Sequence, residues 1–379
     1  MELQLPKQGD PLTVILKLAG DACNINCYYC YEKRKPGSDT RWLDAATLER
    51  FLVAARSRPL RVVLHGGEPL LIGQSQMRSL LCTLAAYDGT LDLVMQTNAM
   101  LLSDAWMDLF DEWFPDLDIG VSIDGPREGN AFRVDFRDRP TFDRVVAGLA
   151  VLERRGKLVA LRVTVTRLLL GRERETLNQV ATFPHVGAVW LSPCLDYDVT
   201  TRMFPVRNAP MLRLLNGTGR GAAGWSTSPR EYTRFLATSF DVWRESYVRR
   251  FLVEPLFSML LALTGGESRL TDWSAHKEPF IVTLYPDGRI TGSDEFSNVD
   301  VHLGTVDKVT NLDDVLGPDG NPTLHDAMRA QLAACAGCPA EAVCAGGSLP
   351  DRLRLATTPW YDEYCDARRW LVHRVAAML

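Results

Sequence analysis

The sequence has no hydrophobic run long enough to cross a membrane. No window reaches the roughly 18 apolar residues that a spanning helix needs, and the first ten residues, MELQLPKQGD, lack the apolar core of a signal peptide. Basic residues are not in excess either, because 42 Lys and Arg stand against 47 Asp and Glu. We therefore expect a cytoplasmic protein without a membrane partner, and a nucleic-acid substrate is disfavoured.

Cysteine is absent between Cys194 and Cys335. Seven of the nine cysteines fall into two groups, one near the N-terminus and one after this gap. In a reducing compartment, clustered cysteines indicate metal ligands more than disulfides. Two cysteines lie outside the groups. Cys82, in the apolar run MRSLLCTLAAY, is predicted to lie in the core. Cys194 is predicted to be buried and inert, with a pocket-lining role as the alternative.

The N-terminal group has no fourth ligand. Cys23, Cys27 and Cys30 are spaced C-x₃-C-x₂-C in the stretch DACNINCYYCY, and no Cys or His follows before His65. Three thiolates can hold three irons of a [4Fe–4S] cluster and leave one iron open. The alternative is a structural zinc site, which usually closes with a fourth Cys or His.

This spacing, with an aromatic residue before the last cysteine, resembles the radical S-adenosylmethionine (SAM) enzymes. The resemblance implies that Cys23, Cys27 and Cys30 bind a [4Fe–4S] cluster whose open iron chelates the amino and carboxylate groups of SAM. An electron from the cluster would cleave SAM, and the resulting 5′-deoxyadenosyl radical would remove hydrogen from the substrate. A reductant such as flavodoxin or ferredoxin is the implied electron donor.

Further segments resemble the SAM-contacting loops of that family. In His65-Gly66-Gly67-Glu68-Pro69, the glycines would let the backbone approach a ligand, and Glu68 would accept the SAM ammonium group. Ser122 and Asp124 would reach the ribose and adjacent polar atoms. The other implied SAM contacts are Asn98 and Arg133. The alternative for Asn98 and Asp124 is that they only satisfy turn backbone.

The first half of the chain alternates β-rich runs with amphipathic stretches, which is typical of a parallel sheet covered by helices. Strands are predicted at Leu12–Leu18, Arg61–His65, Asp92–Gln96, Asp118–Ser122, Val159–Val165 and Gly187–Leu191. Helices are predicted at Ala45–Ala55, Ser75–Tyr87, Asp104–Trp113, Thr141–Arg154 and Arg174–Ala181. The predicted fold is α/β, a partial (βα)₆ TIM-like barrel over residues 1–200, with its chemistry at the C-terminal strand ends.

Two further regions follow the barrel. A helical bridge is predicted over residues 201–275, with a Gly-, Pro- and Arg-containing connector and then a long helical region from Pro229 to about Leu263. Residues 276–379 are predicted to form an auxiliary-cluster domain with a hairpin turn at Asp287-Gly288. Its cysteines resemble those of the SPASM/twitch-like iron–sulfur domain of peptide-modifying radical SAM enzymes; they are Cys335, Cys338, Cys344 and Cys365.

The C-terminal pattern is shorter than the SPASM pattern, which usually carries two auxiliary clusters. Ser293 and Ser348 stand where the family has cysteines of the first auxiliary cluster, and the four cysteines that remain match the second. The resemblance therefore implies two [4Fe–4S] clusters in this chain, one that binds SAM and one auxiliary. A zinc ribbon with the same ligands is the alternative, because sequence does not separate zinc from iron–sulfur in a four-cysteine site.

Asp294 follows Ser293, where some SPASM maturases carry a catalytic aspartate. The resemblance implies that Asp294 is a catalytic general base, which takes a proton from the substrate radical as it is oxidised. The alternative is a solvated acid beside Glu295.

The run CAGGSLPDR and the aromatic-rich approach to Cys365 resemble the maturases that form three-residue cyclophanes. This likeness implies a peptide-modifying oxidoreductase that joins an aromatic ring carbon to the β-carbon of a residue two positions away in a ribosomally synthesised precursor peptide. Other products within the class are a thioether or formylglycine, the latter disfavoured by the missing first auxiliary cluster. A non-catalytic iron–sulfur scaffold or electron-transfer protein is the alternative from another class.

Overall fold

The structure is a computed structural model that describes residues 2–32, 41–195, 224–266, 273–296, 301–355 and 360–379. Almost all of the predicted connector after the barrel lies outside the described residues. No helix in the described ranges combines the length and apolar character that crossing a membrane requires.

Six parallel strands form the barrel portion of the fold. Strands β1 to β6 lie at Leu12–Lys17, Leu60–His65, Leu91–Thr97, Asp118–Ser122, Val159–Val165 and Val186–Pro193, and each pairs in parallel with the next. Helices α1 to α5 lie at Ala45–Ala55, Gly73–Ala85, Asp104–Trp113, Phe142–Arg154 and Glu173–Ala181. The predicted (βα)₆ pattern is confirmed, and the ends of the elements differ from the prediction by at most two residues.

Burial on the strands explains why they form this sheet. In β5, alternate residues from Val159 to Val165 are buried, and the residues between them are only partly covered. The helices turn apolar faces to the sheet, as in α3, where Trp106, Met107 and Phe110 are buried. Their packing forms one continuous core through the barrel, which holds the C-terminal strand ends in fixed positions.

Four short strands extend this sheet at its two edges. Strands β7, β8, β9 and β10 lie at Leu252–Glu254, Ile281–Leu284, Arg289–Thr291 and His302–Thr305. The order of the ten strands is β10-β9-β8-β1-β2-β3-β4-β5-β6-β7. The β8–β9 pair is the predicted hairpin, and Gly288 in its turn has a φ of +81° that favours glycine. The segments that follow the barrel thus add strands to the barrel's own sheet.

The prediction of one long helical region from Pro229 to about Leu263 is wrong for the middle of that region. Helix α6 covers Pro229–Ser246, helix α7 covers Leu256–Leu263, and β7 lies between them, paired in parallel with β6. Ser228 starts α6 with a capping box, because its hydroxyl accepts from the Glu231 backbone and the Glu231 carboxylate accepts from the Ser228 backbone. Pairing with the sheet edge outweighs the apolar pattern that favoured a continuous helix.

The C-terminal region is helical after β10. Helices α8 to α12 lie at Asp313–Leu316, Pro322–Ala333, Glu341–Cys344, Leu349–Leu355 and Tyr361–Ala376. Helix α12 packs against α6 and α7, so this region is anchored on the bridge.

Cys82 and Cys194, the two cysteines outside the N-terminal and C-terminal groups, differ in burial. Cys82 is exposed, so the prediction of a core position is wrong. Helix α2 buries Met77, Leu80, Leu81 and Leu84 on one face, and Cys82 falls on the other. Cys194 is fully buried directly after β6, as the prediction of a buried cysteine required.

Candidate active site

The three N-terminal cysteines lie in the loop that follows β1 at the carboxyl end of that strand. The loop is fixed by backbone hydrogen bonds, such as Tyr28 N to Phe132 O at 3.0 Å and Cys30 N to Cys27 O at 3.2 Å. Burial raises the pKa of the Cys23 thiol, and interactions with Cys30 and Cys27 raise it further. Cys27 and Cys30 therefore lie close enough to Cys23 to act on its thiol.

Gly66 and Gly67 hold the cysteine loop against the end of β2. Gly67 N donates to Gly20 O at 3.0 Å, and Glu68 N donates to Ala22 O at 2.9 Å. A Cβ on Gly67 would lie 2.0 Å from Ala22 O, which no side chain can tolerate. The predicted close approach exists, and its partner in the structure is the backbone of the cysteine loop.

Glu68 is buried directly behind this loop. Its carboxylate accepts hydrogen bonds from Thr97 Oγ1 at 2.7 Å, Asn98 N at 2.8 Å and Leu70 N at 3.2 Å. Burial raises the pKa of Glu68 to about 6, although these donors and Arg133 lower it.

Asn98 connects the end of β3 to the cysteine loop. Its side-chain amide donates to Asn24 Oδ1 at 2.7 Å and lies 3.9 Å from Cys23 Sγ. Its amide oxygen accepts from Met100 N at 3.1 Å, as the turn-satisfying alternative predicted. Asn98 therefore contacts both its own turn and the first cysteine.

Asp124 and Arg133 form a second buried group at this edge of the sheet. The Tyr29 hydroxyl donates to Asp124 Oδ2 at 2.5 Å, and Arg133 Nη1 donates to that hydroxyl at 2.9 Å. Asp124 Oδ1 accepts from Thr164 N at 3.0 Å, which ties β4 to β5. Burial raises the pKa of Asp124, and Arg133 lowers it.

Ser122 and Arg133, two of the predicted SAM contacts, differ in whether their polar atoms have a hydrogen-bond partner. The Ser122 hydroxyl accepts from Gln96 Nε2 at 2.9 Å. Arg133 Nε is buried and has no hydrogen-bond partner among the described residues. A buried guanidinium N–H without a partner suits a carboxylate ligand.

The four C-terminal cysteines lie where α9, α10 and α12 converge. Cys335 and Cys338 follow α9, Cys344 ends α10, and Cys365 lies in the first turns of α12. Burial raises the pKa of Cys335, and interactions with Cys344 and Cys365 raise it further. Cys338 N donates to Cys335 O at 3.0 Å. The fold thus brings together cysteines that are spread over residues 335–365 of the sequence.

The chemistry of the two cysteine groups fits iron–sulfur clusters. A [4Fe–4S] cluster binds each thiolate through a different iron, so three cysteines at the N-terminal site leave one iron open for a ligand, and four at the C-terminal site supply a complete set. In the described ranges, the one group of three metal-binding side chains with ligand atoms all within 4.8 Å is Glu32, His65 and Asp294.

A buried charge network adjoins the cysteine loop. Lys17, the last residue of β1, is fully buried, and its Nζ lies 2.6 Å from Glu32 Oε1, 2.5 Å from Asp294 Oδ2 and 3.5 Å from His65 Nδ1. These contacts match the three donors of an ammonium group. The Tyr31 hydroxyl donates to Asp294 Oδ2 at 3.3 Å.

This network changes the interpretation of Asp294. The residue is 4% exposed, so the alternative of a solvated acid is wrong. Burial lowers the pKa of Lys17, but Asp294 and Glu32 raise it well above its usual value, and the ammonium stays charged. The ammonium contacts all three side chains of this group, Glu32, His65 and Asp294. One ammonium group therefore contacts two carboxylates.

Lys17, Glu32, Tyr29 and Tyr31 were not among the predicted site residues. One sequence feature points to Lys17, because a lysine in the apolar strand LTVILKL must find a partner if it is buried. No pattern connects Lys17 to Asp294, which is 277 residues away.

Ser293 and Ser348, at the two positions where the family has cysteines, are both buried. Ser348 N donates to Tyr364 OH at 3.1 Å, and its hydroxyl accepts from Asp351 N at 3.3 Å. Ser348 therefore forms hydrogen bonds through both its backbone N–H and its hydroxyl.

Glu278 is buried near Ser293. Its Oε1 lies 3.8 Å from Lys277 Nζ. Burial raises the pKa of Glu278 to about 8; Lys277 and Ser293 lower it, and Glu295 raises it. Part of the carboxyl population is therefore neutral near pH 7.

Comparisons with known proteins agree with this arrangement. Residues 18–183 match the family model described as the radical SAM superfamily. A serine-type anaerobic sulfatase-maturating enzyme from Klebsiella aerogenes is 28% identical over 360 residues, which cover 90% of this chain and 80% of that enzyme.

Two solved structures have a similar fold. The structure of anSMEcpe with bound AdoMet has a TM-score of 0.78 at 18% identity, and the match covers 97% of this chain and 98% of that one. Streptococcus suis SuiB bound to the precursor peptide SuiA has a TM-score of 0.61 at 16% identity, over 93% of this chain and 75% of that one. Both matches extend beyond the barrel into the cysteine-rich C-terminal region.

Proposed function

We propose that this radical SAM enzyme, with its radical SAM domain at residues 18–183, oxidises a side chain of a ribosomally synthesised precursor peptide and forms an aromatic-to-β-carbon cross-link. The observation that carries the proposal is the buried pair of Asp294 and Lys17, which adjoins the cysteine loop through Glu32. A proton acceptor beside a radical-generating centre suits removal of hydrogen from a carbon followed by oxidation.

The chain's own residues bind and orient SAM in this proposal. Cys23, Cys27 and Cys30 hold the SAM-binding [4Fe–4S] cluster, which with SAM supplies the radical that takes a hydrogen atom from the substrate. Glu68 accepts the SAM ammonium group, and the unpartnered Nε of Arg133 donates to its carboxylate.

The remaining SAM contacts come from neighbouring strand ends. Asn98 fixes the loop beside Cys23, Gly66 and Gly67 keep that loop against Glu68, and Ser122 and Asp124 bind the ribose side.

Asp294 is the proposed catalytic base. After the hydrogen atom is removed, formation of the cross-link releases one proton and one electron from the peptide. Asp294 takes the proton, while Lys17 and Tyr31 orient its carboxylate through hydrogen bonds. Cys335, Cys338, Cys344 and Cys365 would hold the second cluster, which would supply the acceptor for that electron.

Replacing Asp294 with Asn tests this role. The variant keeps the shape of the side chain but cannot accept the proton, so we expect normal formation of 5′-deoxyadenosine and at least about a hundredfold less product. Both compounds are measured in one reaction by liquid chromatography and mass spectrometry. Wild-type product yield in the variant would remove Asp294 from the mechanism.

A second candidate product is formylglycine, as in sulfatase maturation. The 28% identity to a serine-type sulfatase-maturating enzyme over most of the chain favours it. The buried serines at positions 293 and 348 favour the cyclophane instead. They stand where the family has cysteines of the first auxiliary cluster, and formylglycine-forming enzymes of this class keep both auxiliary clusters.

Coexpression with the product of a neighbouring small open reading frame distinguishes the two bonds. A cyclophane and formylglycine made from serine both lose two hydrogens, so mass alone does not suffice. We expect fragmentation to stop between an aromatic residue and its second neighbour, with no reaction towards a hydrazide probe. A hydrazide-reactive aldehyde at a single serine would favour sulfatase-type maturation.

The partners in this proposal are the precursor peptide and a reductant such as flavodoxin or ferredoxin. The reductant supplies the electron that SAM cleavage consumes, and oxidation of the peptide returns one electron. One turnover therefore balances in electrons.

A further inference from the structure

We infer that Arg368, Arg352 and Arg369 make the auxiliary cluster a better electron acceptor by placing guanidinium groups against three of its four cysteine ligands. Arg368 Nε donates to Cys344 Sγ at 3.2 Å, and Arg352 Nη1 lies 3.7 Å from Cys335 Sγ. Arg369 pairs with Asp366 and also interacts with Cys338.

Arg368 is fixed in this position by contacts on all sides. It is 5% exposed, and its guanidinium stacks on the Trp273 ring with 3.7 Å to the ring centre. Nη1 donates to Tyr364 OH at 2.9 Å, and Nη2 donates to Trp273 O at 3.1 Å. These partners leave Nε directed at the sulfur of Cys344. A general stabilising role would not require a hydrogen bond to a thiolate.

The other two arginines differ from Arg368 in exposure. Arg352 is half-buried in α11, and Gly346 O is a second acceptor for its Nη1 at 3.4 Å. Arg369 lies on the exposed face of α12, where Asp366 pairs with it and offsets part of its charge. Asp351 also interacts with Arg368. Asp366 and Asp351 thus offset part of the positive charge at this site.

Positive charge and N–H···S hydrogen bonds raise the potential of an iron–sulfur cluster. Reduction adds negative charge to the cluster and its thiolates, and nearby donors stabilise that added charge. The buried Arg368 has the strongest effect because water does not screen it. Exposed Arg369 has the weakest.

A raised potential of the auxiliary cluster favours the transfer of an electron from the peptide, which the proposed function requires. Only this part of the inference rests on the proposed function. As the new bond forms, the peptide radical loses one proton to Asp294 and one electron. The four C-terminal cysteines would hold the cluster that accepts this electron, and a flavodoxin- or ferredoxin-type carrier would oxidise that cluster again. The C-terminal region has cysteines for one such cluster.

The test is a redox titration of the auxiliary cluster followed by electron paramagnetic resonance. The full-length chain carries Ala at Cys23, Cys27 and Cys30, which removes the SAM-binding cluster and leaves a single signal. Arg368→Gln, Arg352→Gln and Arg369→Gln are compared in this background. Arg374→Gln is the matched control, because Arg374 lies on the same helix α12 but pairs with Asp241 at 2.8 Å.

We expect Arg368→Gln to lower the midpoint potential by about 59 mV or more, a tenfold change for a one-electron couple. Arg352→Gln and Arg369→Gln shift it in the same direction by less, and Arg374→Gln leaves it unchanged. Arg369 is exposed, so its variant reports on the effect even if Arg368→Gln does not fold.

Equal potentials in Arg352→Gln, Arg369→Gln and the control would overturn the inference, as would zinc in place of iron and sulfide at this site. The potentials are measured without SAM or peptide. An unmodified peptide would therefore contradict the proposed function and leave the measured shifts standing.

Discussion

At the residue scale, Lys17 holds together two carboxylates that would otherwise repel each other in the protein interior. Glu32 comes from the cysteine loop and Asp294 from the segment after β9, and both contact the same ammonium group. An uncompensated buried charge is costly, whereas an exposed pair contributes little. The position of Asp294 therefore depends on Lys17.

Replacing Lys17 with Met should lower the free energy of unfolding by about 3–5 kcal/mol, because two buried carboxylates lose their cation. Urea unfolding under anaerobic conditions at matched iron content measures this change. Arg61→Gln is the control; Arg61 pairs with Asp92 on neighbouring strands, but both side chains are about half exposed, so the loss should be below about 1 kcal/mol. Equal losses in the two variants would contradict the account.

Glu278 gives a pH dependence with a defined sign. Its folded pKa of about 8 lies above the ordinary value of 4.5, so the folded protein keeps a proton that the unfolded chain has lost. Wild-type stability should therefore fall, relative to Glu278→Gln, by about 2 kcal/mol as pH rises from about 6 to 8. Urea midpoints across this range measure the difference. Glu49→Gln, on the exposed face of α1, should show none, and a difference that grows in the opposite direction would refute the assignment.

At the element scale, the sequence was sufficient for the six barrel strands and their helices, because each has a clear period and turn residues at its ends. It failed for β7, since Leu252–Glu254 has only three residues and gains its strand conformation from pairing with β6. The two cysteine groups and the glycine turn follow from local motifs. The Lys17 network does not, because its members meet only through the fold.

The turn at Gly67 is the element that positions the cysteine loop, and Gly67→Ala tests it. A Cβ there overlaps Ala22 O, so we expect loss of the SAM-binding cluster and a fall from about eight to about four irons per chain. Gly224→Ala is the control, because nothing lies within 4 Å of its added Cβ and its φ is outside the left-handed region. Iron and sulfide analysis after reconstitution measures the outcome. About eight irons in Gly67→Ala would contradict this role.

At the scale of the whole molecule, one sheet connects the parts that the sequence suggested as separate regions. Strand β8 pairs with β1, and β7 pairs with β6, so the segments after the barrel flank it on both sides. This arrangement carries Asp294 to the cysteine loop, while the same C-terminal region holds the second cysteine group. The boundaries at residues 200 and 275 stay a prediction.

Peptide-dependent cleavage of SAM tests the central claim most directly. The reconstituted, reduced protein is incubated with SAM and the candidate precursor peptide, and 5′-deoxyadenosine and modified peptide are measured together. The account predicts that both form, with one 5′-deoxyadenosine for each peptide that loses two hydrogens. A protein with full iron and sulfide content that produced no 5′-deoxyadenosine would instead be an iron–sulfur scaffold or electron carrier.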